Sequence, residues 1–468
     1  MDNNQAHRGR RDQVVGISSR GKTAMDSADT IAAIATPPGI GGIGILRLSG
    51  PAALAIGESI SASQLQPGRI QLRRFYDGDG EVLDHGLCLY FRSPHSFSGE
   101  DCVEIQGHGG PILLDMLLQR VCQLGARLAQ PGEFSQRAFL NGKIDLAQAE
   151  AIADLIESGS RAATRAAMRS LEGRFSSQVN LQVEGIIHLR AFIEAALDFA
   201  EEEIDFLENS DIQKRLQESI DGLQGLLDQA EQGRTLRDGL SVALAGIPNA
   251  GKSSLLNYLA GYEAAIVTEI EGTTRDVLRE HISLQGIPIR LNDTAGLRES
   301  DNPVEQEGIR RARAEIANAD VVIFLVDSSK GISAADKDII EGLNSESLLL
   351  VYSKCDLIEA VKREEAEGLY ISTVTGEGME TLIQRITGQS VDYNQDNQVI
   401  LARRRHVEAL TRARDAVKQA AEIFAQTRSG ELMAEDLRQA QRQLAEITGE
   451  FSSDDLLGRI FSQFCVGK

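Results

Sequence analysis

No run of about 18 apolar residues occurs in this 468-residue chain, so nothing in it reads as a membrane-spanning helix. A surplus of positive charge is also missing. Lys and Arg number 48 against 69 Asp and Glu, a formal net charge of −21. No global basic field exists to hold nucleic acid, so any contact with RNA has to be local. Cysteine is sparse: the five residues Cys88, Cys102, Cys122, Cys355 and Cys465 are odd in number, widely spaced and without a Cys-x-x-Cys pair. That pattern argues against a disulfide framework or a zinc site and for a reducing, cytoplasmic compartment. A secretory signal is lacking as well, because residues 1–24 carry Arg8, Arg10, Arg11 and Arg20 and no apolar core. Asp2 and Asp12 in the same stretch fit an organelle transit peptide poorly. Residues 1–28 read as a disordered extension or as sequence upstream of a true start near Met25.

What is present is a globular composition, 42% hydrophobic and 25% charged, at a length that calls for two or three domains. Residues 29–142 mix short alternating apolar runs with one helical stretch, Pro111 to Leu124, and predict a small α/β domain. Residues 143–238 are helical by period, with apolar stripes Ile152, Leu155, Ile156, then Ile186, Leu189, Ile193, Leu197, then Leu216, Ile220, Leu223, Leu227. From 239 to 391 strands alternate with helices, which is the pattern of a mostly parallel sheet with crossovers. The helical period returns over 392–468, with Leu410, Val417 and Phe424 on one stripe and Ile460, Phe461 and Phe464 on another. The simplest architecture is a discontinuous helical domain, 143–238 plus 392–468, with a Ras-like P-loop domain inserted between its halves.

Gly246-Ile-Pro-Asn-Ala-Gly251-Lys252-Ser253 lies between the strand-like Val242 to Ala245 and the helix-like Ser254 to Leu259. In that setting G-x-x-x-x-G-K-[ST] is a phosphate-binding loop: backbone N–H groups wrap the phosphates, Lys252 adds charge and the Ser253 hydroxyl ligates Mg²⁺. Asn249, Ala250, Gly251 and Ser254 complete the nucleotide-binding stretch. Downstream, Asp293, Thr294, Ala295 and Gly296 end an apolar strand, where an acid can hold Mg²⁺ through water and Gly296 can donate to a γ-phosphate. Gly272, Thr273 and Thr274 form the partner switch, with Thr274 as the second hydroxyl on Mg²⁺. Ser353-Lys354-Cys355-Asp356 follows a strand and matches an Asn-Lys-x-Asp guanine reader with Ser in place of Asn; Ser372, Thr373 and Val374 stand for the second reader, usually Ser-Ala-x. Asp356 can accept from two guanine N–H groups that adenine lacks, and leaving either acceptor position unmatched costs about 1–3 kcal/mol, so GTP is preferred to ATP. Leu297 occupies the position where Ras-like switches carry the Gln that orients water, so hydrolysis needs another polar residue and a positive group.

With these motifs in place, the chain resembles the MnmE (TrmE) family of tRNA modification GTPases from about residue 29 to its end. The likeness rests also on Ala35-Thr-Pro-Pro-Gly39, Gly107-His-Gly-Gly110, Pro131-Gly-Glu-Phe134, Arg137-Ala-Phe-Leu140, Leu401-Ala-Arg-Arg-Arg405, Thr448-Gly-Glu-Phe451 and Phe464-Cys-Val-Gly-Lys468. The resemblance implies a homodimer acting with MnmG, an FAD-binding partner, in a heterotetramer or larger assembly. Together the two proteins install a carboxymethylaminomethyl- or aminomethyl-type group on C5 of the tRNA wobble uridine, U34. It implies an N-terminal domain that dimerises and holds 5-formyl- or methylene-tetrahydrofolate, at Arg47, Glu104, Lys143 and Lys468. It implies K⁺-assisted GTP hydrolysis with G-domain dimerisation, the ion at Asn249, Thr268, Ile270 and Thr273, with Glu269 and Glu271 in the same loop and Glu305 orienting water. K⁺ and Glu305 then answer the Leu297 problem, and Cys465 becomes a candidate for redox or nucleophilic chemistry.

Other readings stand beside these. A ribosome-assembly or RNA-binding GTPase switch would call for a basic domain after the nucleotide domain, where acidic helices follow instead. A plain folate-binding protein with a degenerate switch conflicts with Lys252, Ser253, Thr274 and Asp293 all being present. Gly39 to Gly44 spells G-x-G-x-x-G, yet Ile45-Leu-Arg-Leu continues as a strand where a dinucleotide site needs a helix. Arg403, Arg404 and Arg405 read as a solvated helix start, with a contact to tRNA or the partner as the alternative that the resemblance adds, and Cys465, behind Phe461 and Phe464, reads as either a small core residue or a reactive one.

Overall fold

The computed structural model describes residues 29–198, 210–262, 279–293, 316, 319–342, 348–358, 368–388, 399–427, 429–450 and 454–467. Two compact units result, one from residues up to 144 together with 457–467, the other from residues between 145 and 456. The expected domain of residues 143–238 plus 392–468 thus gives up its last residues to the N-terminal unit.

The N-terminal unit is built on a six-stranded sheet of order β3-β4-β5-β2-β1-β6. Its strands are β1 (Ile31–Ile34), β2 (Gly41–Ser49), β3 (Ile70–Tyr76), β4 (Val82–Phe91), β5 (Cys102–Gly109) and β6 (Arg127–Leu128). All pairings are antiparallel except β1 with β6. Alternation decides the faces. Leu46, Leu48, Phe75, Cys88, Val103 and Ile105 point into a core shared with α1 (Ala53–Ser61) and α2 (Pro111–Gln123). Ile31 and Ala33 point the other way, onto Phe134 of α3 (Glu133–Leu140). That second face carries two rows across the sheet, Arg47, Glu104, Leu89, Ile70 and Ile45, Gln106, Leu87, Leu72. Its far edge is uncovered in the single chain: Ile70 is 69% and Leu72 73% exposed.

The second unit opens with α4 (Leu146–Glu157), α5 (Arg161–Leu171), α6 (Arg174–Asp198) and α7 (Ser210–Asp238). Its sheet has the order β12-β11-β10-β7-β9-β8, from β7 (Leu240–Ala245), β8 (Arg279–Leu284), β9 (Ile287–Asp293), β10 (Val321–Asp327), β11 (Leu348–Ser353) and β12 (Leu369–Tyr370). Only β8 runs antiparallel to its neighbour. Helices α8 (Lys252–Tyr262), α9 (Ala334–Gly342) and α10 (Met379–Thr387) belong to this sheet, followed by α11 (Arg404–Thr427) and α12 (Gly430–Thr448). Helix α13 (Asp454–Phe461) then leads to the C-terminal residues of the first unit. The stripes on α6, α7, α11 and α12 meet in one core around Phe175, Leu189, Leu223, Leu410, Phe424 and Leu437, as their period requires. Among the described residues no helix is long and apolar enough to cross a membrane.

Two sequence expectations fail on α4 and α11. The buried side of α4 is not the Ile152, Leu155, Ile156 stripe, since Ile156 is 47% exposed. Glu150 and Asp154 are buried instead, at 1% and 5% exposure. Carboxylates are tolerated there because Arg405 gives Glu150 two hydrogen bonds, at 2.8 and 2.6 Å, and Arg403 and Arg237 each donate to Asp154 at 2.8 Å. Arg403 and Arg405 are accordingly structural ion-pair partners and not a solvated helix start; of the three, only Arg404 is exposed, paired with Glu408 one turn on. His406, 2% exposed, accepts the Arg403 N–H at Nδ1 and donates from Nε2 to Glu150, which fixes its neutral tautomer. Burial pushes its imidazole below the ordinary value, and the neighbouring Arg405 charge adds to this. Burial alone would raise the Glu150 carboxyl; its partners outweigh that and hold it well below the usual carboxylate range, and with His406 neutral the ionised form rests chiefly on Arg405.

Candidate functional site

The phosphate loop takes the shape its glycines permit. Gly246 has φ +138°, and a Cβ there would lie 2.4 Å from the Leu325 carbonyl oxygen. Asn249 sits at φ +67° and Gly251 at φ +97°, and α8 begins at Lys252. The N–H groups of the first turn of α8 are thus presented at the end of β7, as an anion site requires. The Lys252 ammonium donates to the carbonyls of Gly246 at 2.7 Å and Ile247 at 3.2 Å, which keeps its charge at the mouth of the loop. Ala250 is buried, whereas Ser253 and Ser254 are exposed.

The second motif is tied directly to this loop. Ser353, at the end of β11, donates its hydroxyl to the Ala250 carbonyl at 2.6 Å. Lys354, at φ +56°, donates to the Asn249 carbonyl at 2.9 Å and to Asp327 Oδ2 at 2.7 Å. Burial pushes the Asp327 carboxyl up, but hydrogen bonds from Lys354 and Ser329 outweigh it and hold the group below its usual range. Cys355 is buried, and its N–H donates to the Ile371 carbonyl, which sets Ser372 beside the 353–356 loop. The Ser372 hydroxyl accepts from the N–H groups of Val374 and Thr375 and shapes that second loop; Thr373 is half-buried and Val374 exposed. Asp356 is exposed at the rim. The structure therefore brings Asn249, Ala250, Ser353, Lys354 and Ser372 together.

Other expected residues lie outside the described ones: Thr268, Glu269, Ile270, Glu271, Gly272, Thr273, Thr274, Thr294, Ala295, Gly296, Glu305 and Lys468. Asp293 is described as the last residue of β9, whose neighbour β7 leads into the phosphate loop. Asn249, of the residues expected at K⁺, stands in the phosphate loop, and Ser253, of those expected at Mg²⁺, in the first turn of α8. Among the described residues no cluster of three or more His, Cys, Asp or Glu side chains could hold a metal.

In the N-terminal unit, Arg47 and Glu104 form a pair at 2.9 Å across β2 and β5. The Arg47 guanidinium lies 5.9 Å from the ring centres of both Phe97 and Phe134, and its Nη1 donates to the Gly467 carbonyl at 3.4 Å. Gly467 has φ +97°, and a Cβ on it would sit 2.5 Å from the Ile34 carbonyl oxygen, so only glycine lets the C-terminal residues lie this close to β1. Lys143 donates to the Pro94 carbonyl at 2.9 Å, on the loop that carries Phe97. Cys465 is exposed, while its carbonyl accepts from the Gly132 N–H at 3.3 Å, so a small core residue is excluded. Arg47, Glu104, Phe97 and the Gly467 carbonyl thus converge on one cluster that offers an exposed aromatic face, a cation and a carboxylate, with the fully buried Phe134 backing Arg47 from the core. A pterin-like ligand fits those donors chemically.

Asp327 and Phe97 are absent from the residues the sequence singles out, and Phe134 stands there in the Pro131 to Phe134 motif without a role. Asp327 had a signal, an acid ending the apolar strand Val321 to Val326, but any strand-ending turn shares it. Phe97 had none, because its partner Arg47 is remote in sequence.

A family profile described as the MnmE helical domain matches residues 146–465, and one described as the GTP-binding protein TrmE N-terminus matches residues 30–143. The tRNA modification GTPase MnmE of Nitrosococcus oceani is 52% identical over 446 residues, covering 94% of this chain and 97% of that protein. The protein of the same name from Acinetobacter baylyi is 51% identical over 452 residues, 95% of this chain and 98% of its own length. That of Legionella pneumophila is 50% identical over 448 residues, 94% of this chain and 100% of its own. A glycine-shaped phosphate loop tied to a guanine-type reader, an N-terminal cluster completed by the chain's last residues and identity over nearly the full length agree: the chain belongs to the MnmE family of tRNA modification GTPases.

Proposed function

We propose that this chain is the cytoplasmic, GTP-hydrolysing component of a system that places a carboxymethylaminomethyl- or aminomethyl-type group on C5 of the wobble uridine, U34, of tRNA, working with an FAD-dependent partner of the MnmG type. The observation that carries this reading is the join between the two nucleotide motifs, Ser353 to Ala250 and Lys354 to Asn249, which holds the guanine reader in fixed register with the phosphate loop.

The chain's own residues have defined tasks in it. Lys252 and the first turn of α8 bind the phosphates, Ser253 and Thr274 hold Mg²⁺, and Asp356 accepts from the guanine edge. Asn249, Thr268, Ile270 and Thr273 hold K⁺, and Glu305 orients the water. Bound Mg²⁺ and K⁺ supply positive charge to the phosphates in the place of an arginine finger. Arg47, Glu104, Lys143 and Lys468 bind the one-carbon tetrahydrofolate, with Phe97 as an exposed aromatic wall, and Cys465 stands exposed two residues before Gly467.

Homodimerisation is supported by the uncovered edge of the N-terminal sheet, where Ile70, Leu72 and Leu87 stand exposed on one apolar face. GTP-driven contact between two nucleotide domains then times chemistry in the N-terminal unit. Nucleoside analysis of tRNA from a strain lacking this gene tests the reading. Loss of the C5-modified uridine is expected, and its persistence would overturn the proposal.

A further inference from the structure

We propose that this protein recognises guanine nucleotides without any hydrogen bond to the purine N7, and that Ser353 is the residue that decides this. The inference rests on the reading of Ser353-Lys354-Cys355-Asp356 as the guanine reader. An Asn at the first position of such a motif carries two amide hydrogens, enough to serve a phosphate-loop carbonyl and a base nitrogen at once. A serine hydroxyl has one hydrogen. In this chain it is already committed: the Ser353 Oγ lies 2.6 Å from the Ala250 carbonyl and 3.2 Å from the Val326 carbonyl, both acceptors, and the residue is 4% exposed. Its remaining capacity is lone pairs, and N7, itself a lone pair, cannot use them.

The neighbouring polar groups are committed elsewhere. Lys354 is directed at the Asn249 carbonyl and Asp327. The Ser372 hydroxyl accepts from the N–H groups of Val374 and Thr375 and is fully buried, so its own hydrogen does not face a base. The serine therefore keeps the structural half of the asparagine's task, tethering the phosphate loop, and gives up the half that touches the base. A Cβ added at Gly251 would lie 3.4 Å from the Ser353 Oγ, so the loop packs onto the short side chain. Base selection is left to the Watson–Crick edge at Asp356.

Competition binding of GTP against 7-deaza-GTP, in which C–H replaces N7, tests this on the full-length protein with Mg²⁺ and K⁺ present. The two are expected to bind within about three-fold of one another, because no protein donor is left without its acceptor. A 7-deaza penalty above about three-fold would overturn the proposal, and this outcome is read on the unaltered protein. Ser353→Asn supplies the second hydrogen and is expected to create a preference for GTP over 7-deaza-GTP of about five-fold or more. A folded Ser353→Asn protein without that preference also counts against Ser353 as the deciding residue. Asp356→Asn separates the two levels of the argument: it should shift preference from GTP toward XTP. If it does not, the guanine-reader assignment itself has failed, whatever the 7-deaza result.

Discussion

Arg403 and Arg237 donate to the same oxygen, Oδ1 of Asp154, each at 2.8 Å. Arg237 stands just before β7, the first strand of the second sheet, and Arg403 just after the last residues that follow that sheet, so a single buried carboxylate on α4 holds both ends of the segment that carries it. Ser170 adds to the clasp on the return side, exchanging hydrogen bonds with the N–H and carbonyl of Leu401.

Asp154→Asn leaves two arginines facing a neutral amide. Breaking a buried pair on one side costs about 3–5 kcal/mol, so the melting temperature of the second unit should fall by several degrees. An unchanged melting curve would show that the carboxylate charge is dispensable.

Stability should decline in acid through Glu150 and His406. Glu150 titrates lower in the folded state than its ordinary 4.5, so its contribution is present above that value and is lost as the pH falls. His406 also titrates below its ordinary 6.5; the unfolded chain takes up that proton first, which again costs stability as the pH falls below about 6.5. Melting at about pH 7.5 and about pH 5 should show a larger drop for the wild type than for His406→Asn. Equal drops would remove His406 from the account.

Glu305→Ala should cut GTP turnover strongly, by about a hundred-fold or more, while sparing GTP affinity, because the role assigned to it is orientation of water in the transition state alone. Single-turnover hydrolysis with a parallel nucleotide titration measures both. An unchanged rate excludes the role.

Gly467→Ala forces a Cβ to within 2.5 Å of the Ile34 carbonyl at a φ that disfavours it. The C-terminal residues should lift from β1 and take the Gly467 carbonyl from Arg47, weakening tetrahydrofolate binding by about ten-fold or more with GTP affinity unaltered. Fluorescence titration with 5-formyl-tetrahydrofolate reads the first effect; retained folate affinity would mean that the terminus does not build that site.

Cys465→Ser changes an exposed side chain and should cost less than about 0.5 kcal/mol of stability. Loss of tRNA modification with normal folding and GTP hydrolysis would make the thiol chemical. Full modification would leave Cys465 without a chemical role.

Much was legible along the chain because the signals are local. The phosphate loop is eight consecutive residues whose meaning depends only on the strand before and the helix after, and the stripes on α6, α7 and α11 follow directly from a 3.6-residue period. α4 misleads for the opposite reason. Its apolar residues suggest one face, but Glu150 and Asp154 are buried by arginines some 250 residues away, and no local pattern announces a partner at that separation.

The ligand class and the helical or strand character of most segments were therefore determined by the sequence itself, since backbone geometry and short motifs are properties of neighbours. Only the tertiary structure decided that the last residues of the chain belong to the N-terminal unit, that Arg47 lies between Phe97 and Phe134, and that the Ser353 hydrogen is spent on Ala250. Each of these depends on which distant groups meet at a hydrogen-bond or ring-contact distance, and that is settled when the sheets and helices pack.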